Sequence, residues 1–259
     1  MSLKLIKGFS DSDMSIDIEG AVVIFRLKSN AFNLMTDIDK KERYQKLFSV
    51  IEETPEIKVI LSIFAAGALD ENSYAQYISH LCGEQLALRD LDSNWDFKQR
   101  LPRLRQMVFH QDTIKQRSAS KKIIIDCLQG GVVTPFFGET LSADFRFATE
   151  HMHFKLAHRQ YGLHPSGGLA FFLPRYVGES KAIDILLNID TITAKEALEL
   201  GIINRIVSAN NFELECIQLA KKMCQSDITV IETTKLLTCR FKDELEDYFN
   251  SETKMMRIG

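Results

Sequence analysis

The chain has 259 residues, 45% hydrophobic and 26% charged, with a formal net charge of −3. This is the profile of a soluble globular protein long enough for a large core and one or two domains. The small negative charge argues against nucleic-acid binding as the main role, and no apolar run is long enough for a membrane span or, within MSLKLIKGFSDSD, a signal peptide.

In chain order, SIDIEGAVVIFRL (15–27) predicts a hairpin turning at Glu19 and Gly20. MTDIDKKERYQKLFSVIEET (35–54) predicts a helix capped by Asp37, with Leu47, Val50 and Ile51 on one face and Pro55 as its stop. EIKVILSIFA (56–65) alternates too weakly for a half-exposed strand and reads as a buried one. Strand, helix, strand in this order implies a parallel crossover and an α/β layout. FAAGALDENSYAQYISHL then turns into a helix that Asp70 is placed to cap.

The polar stretch from about 83 to 120 predicts helix broken near Pro102. Between Lys98 and Lys122 it holds eight Lys and Arg against one Asp, which reads as a solvated helix face, with a phosphate-facing patch as the alternative. KKIIIDCLQ is a third strand; Asp126 inside it either pairs with a basic side chain or marks a sheet edge. GGVVTPFFGE (130–139) leads into a helix over about 135–143. HMHFKLA follows as a short strand, and a Gly- and Pro-punctuated segment holds a helix in its middle. SKAIDILLNI, TAKEALELG and NNFELECIQLAKKMC are helices, the second closed by Gly201, with INRIV as a short strand between the last two. His151 and His153 alternate on a strand without a third ligand, so no metal site is expected. Five cysteines, an odd number without metal-ligand spacing, point to a reducing, cytoplasmic setting.

Taken in order, VVIFRL, PEIKVILS, FAAGALD, KKIIIDCLQG, the Ala143–Asp144 pair, GLHPSGG with LPRYVG, and ITAKEALELGIINRIV resemble the enoyl-CoA hydratase/isomerase (crotonase) superfamily over about residues 15–245. The last motif is the most specific, being close to A-x-E-A-x-x-x-G-[LI]-[VI]-[ND]-x-[VI]. The resemblance implies an α/β, crotonase-like core of repeated ββα spiral over residues 1–195, with a long polar insertion at about 83–120. It further implies a C-terminal helical trimerisation region over 196–259 and a homotrimer or hexamer. The partner it implies is an acyl-CoA small molecule, with coenzyme A as part of the substrate and no covalently bound cofactor.

In such a site two backbone N–H groups stabilise the thioester oxyanion, and losing one donor costs about 2.7–4 kcal/mol of barrier stabilisation. The resemblance assigns the first N–H to Ala68, after Gly67 in the substrate-binding turn. Aligning on LQG (128–130) and Asp144 puts the family's three glycines on Thr134, Pro135 and Phe136, so the second donor falls on Pro135, which has no N–H. Phe136 and Phe137 then stand where the acyl thioester runs and narrow or fill that path. The two glutamates of the hydratases fall on Gly138 and His158; Glu139, one place along, points about 100° elsewhere on a helix and enters the slot only by a one-residue slip. His158 is a candidate general acid or base, or else a space-filling imidazole. Tyr161 is a candidate hydroxyl donor to substrate, or else a packed aromatic, and His164 belongs to the loop. The segment before KKIII is about twenty residues longer than the family's, which implies a remodelled pocket lid. The chain stops at KMMRIG without the A-F-x-E-K-R-like segment, which implies a different capture of the coenzyme.

The reading that follows is an acyl-CoA enzyme with an altered catalytic set, in which isomerisation, decarboxylation or hydrolysis fits better than hydration. The alternative is a non-catalytic acyl-CoA-binding or scaffold relative, and an RNA-binding role ranks last.

Overall fold

The computed structural model describes residues 6–28, 32, 34, 38–82, 97–238 and 241–255. Its main sheet has seven strands: β1 (Phe9–Ser10), β2 (Met14–Glu19), β3 (Val22–Leu27), β4 (Val59–Phe64), β5 (Ile123–Leu128), β7 (Phe145–Ala148) and β10 (Arg205–Ile206). The first three are antiparallel, and β3 through β10 are paired in parallel. The predicted hairpin closes with Glu19 opposite Val22, and Gly20 takes the left-handed turn conformation, φ +63°. A second sheet joins β6 (Gly131–Val133), β8 (His153–Lys155) and β9 (Thr191–Thr193).

Strand alternation explains how the main sheet is covered. Val23, Phe25 and Ile60 pack against Leu47, Phe48 and Ile51 of α1 (Ile38–Glu52) on one face. Ile24, Leu61, Ile125 and Cys127 pack against Phe212, Cys216 and Ala220 of α8 (Phe212–Met223) on the other. All six residues of β4 are buried, which accounts for its weak alternation in sequence. Each fully buried aliphatic or aromatic side chain contributes about 1.5–3 kcal/mol. The Asp37 cap lies outside the described residues, as does the stretch 83–96. Asp70 does cap α2 (Glu71–Cys82), its Oδ1 accepting the Ser73 N–H at 2.8 Å.

Helix α3 (Phe97–Ala119) corrects two expectations. It runs through Pro102 without a break. Its basic residues are also not all solvated: Arg117 is 3% exposed and donates to Asp126 Oδ2 at 2.6 Å, while Lys122, just beyond the helix, is 2% exposed and caps the Thr54 carbonyl. Asp126 therefore pairs with a basic side chain from inside a central strand. Residues Gln106, His110, Thr113 and Arg117, at near-helical spacing, form a buried polar stripe beside Met107 and Ile114. Arg146 is buried in the same way, its guanidinium donating to the carbonyls of Ile202, Thr140 and Ala143 and to Tyr176 Oη.

Three short helices follow the sheet residues that bear on the site: α4 (Phe136–Thr140), α5 (Leu169–Val177) and α6 (Glu179–Asn188). Helix α7 (Ala194–Glu199) opens with a full capping box between Thr193 and Glu196 and ends before Gly201 at φ +70°. Helices α9 (Ile228–Thr238) and α10 (Lys242–Met255) close the described chain. Among the described residues no helix is long and apolar enough to cross a membrane.

Arg117→Met leaves Asp126 charged and unpaired in the sheet. A loss of about 3–5 kcal/mol is expected in urea unfolding, most of it recovered when Asp126→Leu is added.

Candidate active site

Two turns form the candidate site. The first follows β4: Gly67 is half-buried at φ +83°, its carbonyl accepts from Ser73 Oγ at 2.9 Å, and Ala68 is fully buried. The Ala68 N–H donates to the Ala65 carbonyl at 3.0 Å, closing the turn on itself. The second turn joins β6 to α4. Pro135, after a cis peptide bond, is the residue immediately before α4, and the Thr134 N–H is bonded to the Lys155 carbonyl at 3.0 Å. Residues Leu69 and Val132 bridge the two turns in parallel.

The second turn is clamped by the loop before α5. A Cβ added at Gly138 would lie 2.3 Å from Gly167 O and 2.5 Å from Leu169 N. One added at Gly167 would lie 2.2 Å from Pro135 O. Both contacts are backbone to backbone, so position 138 has no room for any side chain, and a carboxylate there is excluded by the surrounding main chain.

The remaining sequence-derived residues divide among separate environments. Phe137 is wholly buried and stacks on Phe154, centroids 3.9 Å apart. Phe136, 5% exposed, packs edge-on against Phe32 at 5.0 Å and against the His110 ring at 5.2 Å. Tyr161 is half-buried with its ring edge-on to Tyr74 at 5.5 Å, and burial raises its phenol above the usual range. His158 lies buried in the 3₁₀ turn Ala157–Tyr161. Its Nε2–H donates to the Leu186 carbonyl at 3.3 Å, because a carbonyl can only accept. Nδ1 is therefore the bare nitrogen, buried and without a partner. Burial lowers the His158 pKa to about 4, so the ring stays neutral near pH 7 and has no proton to deliver as a general acid.

Glu139, also on α4, meets a residue of α3. It is 8% exposed, and one of its oxygens, Oε2, is hydrogen-bonded to Nδ1 of His110, itself 1% exposed. With Phe136 it lines a cavity of about 30 Å³, together with Leu27, Ser62, Tyr44 and Arg117 among others. Burial pushes the Tyr44 phenol up to about 12, so it stays a neutral hydroxyl there. The sequence reading passed over His110. Its signal was the spacing of polar residues 106, 110, 113 and 117 beside apolar ones in one helix, which marks a buried polar face. Among the described residues no group of three or more His, Cys, Asp or Glu is placed to hold a metal ion.

Comparison with known proteins places this architecture. A family model described as "Enoyl-CoA hydratase/isomerase" matches residues 96–258. A probable peroxisomal enoyl-CoA hydratase 1 from Arabidopsis thaliana is 28% identical over 136 residues, 52% of this chain and 49% of that protein. The 4-chlorobenzoyl coenzyme A dehalogenase-1 of Arthrobacter sp is 28% identical over 121 residues, 47% of this chain and 44% of its own. The chain thus spans about half the length of the curated relatives it matches. The crystal structure of enoyl-CoA hydratase from Bacillus halodurans superposes with a TM-score of 0.75 at 18% identity, covering 94% of this chain and 93% of that one. That likeness establishes the crotonase-type α/β fold.

Two outcomes test this geometry. Gly138→Ala is expected to destabilise the fold by about 1–3 kcal/mol or more in urea unfolding, because backbone must move to admit one methyl. His158 is depressed in the folded state, to about 4 from an ordinary 6.5, so the unfolded chain takes up its proton first as pH falls. Stability is therefore complete above about pH 6.5 and declines towards pH 4, and His158→Gln is expected to flatten that part of the profile measured by denaturant titration.

Proposed function

The chain belongs to the enoyl-CoA hydratase/isomerase family, and on that premise we propose that it takes an acyl-CoA thioester and does not hydrate it by the paired-glutamate route. Support for the substrate class comes from the relatives' names: one is a hydratase and another a dehalogenase, yet both are named for coenzyme A thioesters. The thioester group is thus the common feature, while the reaction varies.

The observation that carries the second half is the contact at Gly138. Where the alignment expects the first glutamate, Gly167 O would lie 2.3 Å from any Cβ. The second expected glutamate is His158, buried and turned to the Leu186 carbonyl. A double-bond hydration needs one group to activate water and another to protonate the α-carbon. With neither carboxylate, reactions centred on the carbon next to the thioester carbonyl, or on the carbonyl itself, fit better: isomerisation, decarboxylation or hydrolysis. Association as a homotrimer or hexamer belongs to the same reading.

A second reading has its own support. The Ala68 N–H is already bonded to Ala65, Pro135 has no N–H, and Phe136 and Phe137 are packed among rings. A thioester oxygen meeting those turns as they stand finds neither expected donor free, which favours a binding or scaffold protein that kept the family fold.

Isothermal titration with an acyl-CoA panel, followed by product analysis, separates the two. Micromolar binding with slow non-hydratase turnover is the expected result. Binding without any turnover favours the scaffold reading, brisk hydration of a 2-enoyl-CoA overturns the assignment of the site, and no binding at all overturns both.

A further inference from the structure

Two buried ionisable side chains, one of them one place along from the expected glutamate, meet each other. Glu139 comes from α4, three residues after Phe136, and His110 from the middle of α3. Glu139 Oε2 and His110 Nδ1 are hydrogen-bonded, and both side chains are buried. With Glu139 Oε2 as the acceptor, the imidazole donates from Nδ1. The carboxylate thereby fixes the tautomer, and the other ring nitrogen, Nε2, is left as the reactive one. That nitrogen is buried with no hydrogen-bond partner.

Such an atom is costly unless something uses it. Leaving a buried polar atom unsatisfied costs about 1–3 kcal/mol. A carboxylate–imidazole pair with a free distal nitrogen is also how an imidazole is made an effective base. The carboxylate orients the ring and stabilises the imidazolium that forms when the ring accepts a proton. His158 is the weaker base: its N–H rests on a main-chain carbonyl of α6, which carries no charge to stabilise an imidazolium, and burial holds its pKa at about 4.

The position of the pair relative to the two turns supplies the rest. The His110 ring lies edge-on under Phe136, at 5.2 Å and 77°. Phe136 directly follows Pro135, so the ring that packs on His110 belongs to the residue next to the turn where the thioester is expected. Glu139 faces Tyr44 and Arg117 through the small cavity on its other side, and Arg117 is already engaged by Asp126.

We propose that His110 is the catalytic acid–base residue of this chain and Glu139 its positioning residue, acting on the carbon next to the carbonyl of an acyl-CoA thioester. This rests on the acyl-CoA reading above. A rotamer change at Phe136 uncovers Nε2. The imidazole then takes the α-proton, the C–H electron pair becomes the carbon–carbon π bond of the enolate, and the carbonyl π pair moves onto oxygen. Return of a proton from the imidazolium reverses the step or, at a different carbon of a conjugated chain, completes an isomerisation. No oxidant, metal or further reactant enters.

The test is α-hydrogen exchange in D₂O with saturated thioesters, which cannot be hydrated. The intact chain is incubated with acetyl-, butyryl- and octanoyl-CoA, deuterium uptake is read by mass spectrometry, and dissociation constants are measured by titration calorimetry. The proposal expects exchange that falls about 100-fold or more in His110→Asn with the dissociation constant unchanged. In Glu139→Gln it expects a smaller fall in the exchange rate constant, again at unchanged affinity, with part of the rate restored by Glu139→Asp. Because a buried variant can misfold, circular dichroism and calorimetric affinity are required of each variant. Partial recovery of exchange by added imidazole in His110→Gly provides a readout that a purely structural histidine would not give. Exchange undiminished in His110→Asn overturns the proposal, as does tight binding by the unaltered protein with no exchange. Absence of binding by the unaltered protein refutes instead the acyl-CoA reading on which it stands.

Discussion

The contact on which the site depends is made by main chain alone. Gly138 lies against the carbonyl of Gly167 and the amide of Leu169, and Gly167 lies against the carbonyl of Pro135. Neither residue can carry a side chain without separating the turn before α4 from the loop before α5. This fixes the direction of α4, and with it which of its side chains turn inward: Phe137 onto Phe154, Phe136 onto Phe32 and His110, and Glu139 onto His110. The chemistry available to the site is set by that direction. A side chain at 138 would run into the main chain of Gly167 and Leu169, whereas the carboxylate at 139 has volume and an imidazole to meet.

Much of the fold was legible in the sequence where burial imposes a period. Val22–Leu27 and Val59–Phe64 could be read as strands because their side chains serve both faces of a covered sheet. Gly201 could be read as the close of the helix in TAKEALELG, and the helix does end before it. The three-residue β6 and four-residue β7 could not be read in the same way, since GVV and FRFA are too short to display a period. Their strand character comes from partners distant in the chain, His153–Lys155 for one and Ile125 to Leu128 for the other. Pro102 misled for the opposite reason: the local rule about helix breaking did not hold, and the helix runs on from Phe97 to Ala119.

The site was less legible than the fold. Ala68 and Pro135 could be placed by alignment, but not the hydrogen bond that occupies the Ala68 N–H. His158 stood out as the unusual residue in a functional position, yet its role depends on which ring nitrogen meets Leu186, a fact of the distant α6 helix. His110 lay in a stretch whose composition reads as solvated, and only its spacing with Arg117 hinted at burial. Residue type marks candidates; which of them share an environment is decided by elements far apart in sequence.

The ion pair between Arg117 and Asp126 has a wider consequence for how this chain holds together. Asp126 sits fully buried in a strand flanked on both sides, and the cation that neutralises it comes from near the C-terminal end of α3. A long helix that in sequence looks like an ornament on the core is therefore an electrical requirement of the sheet. Undocking it would strand a negative charge in an apolar interior. Helix and sheet must then open together, so that segment behaves as part of the same cooperative unit as the central strands, and shortening the chain there would remove a counter-ion of the sheet.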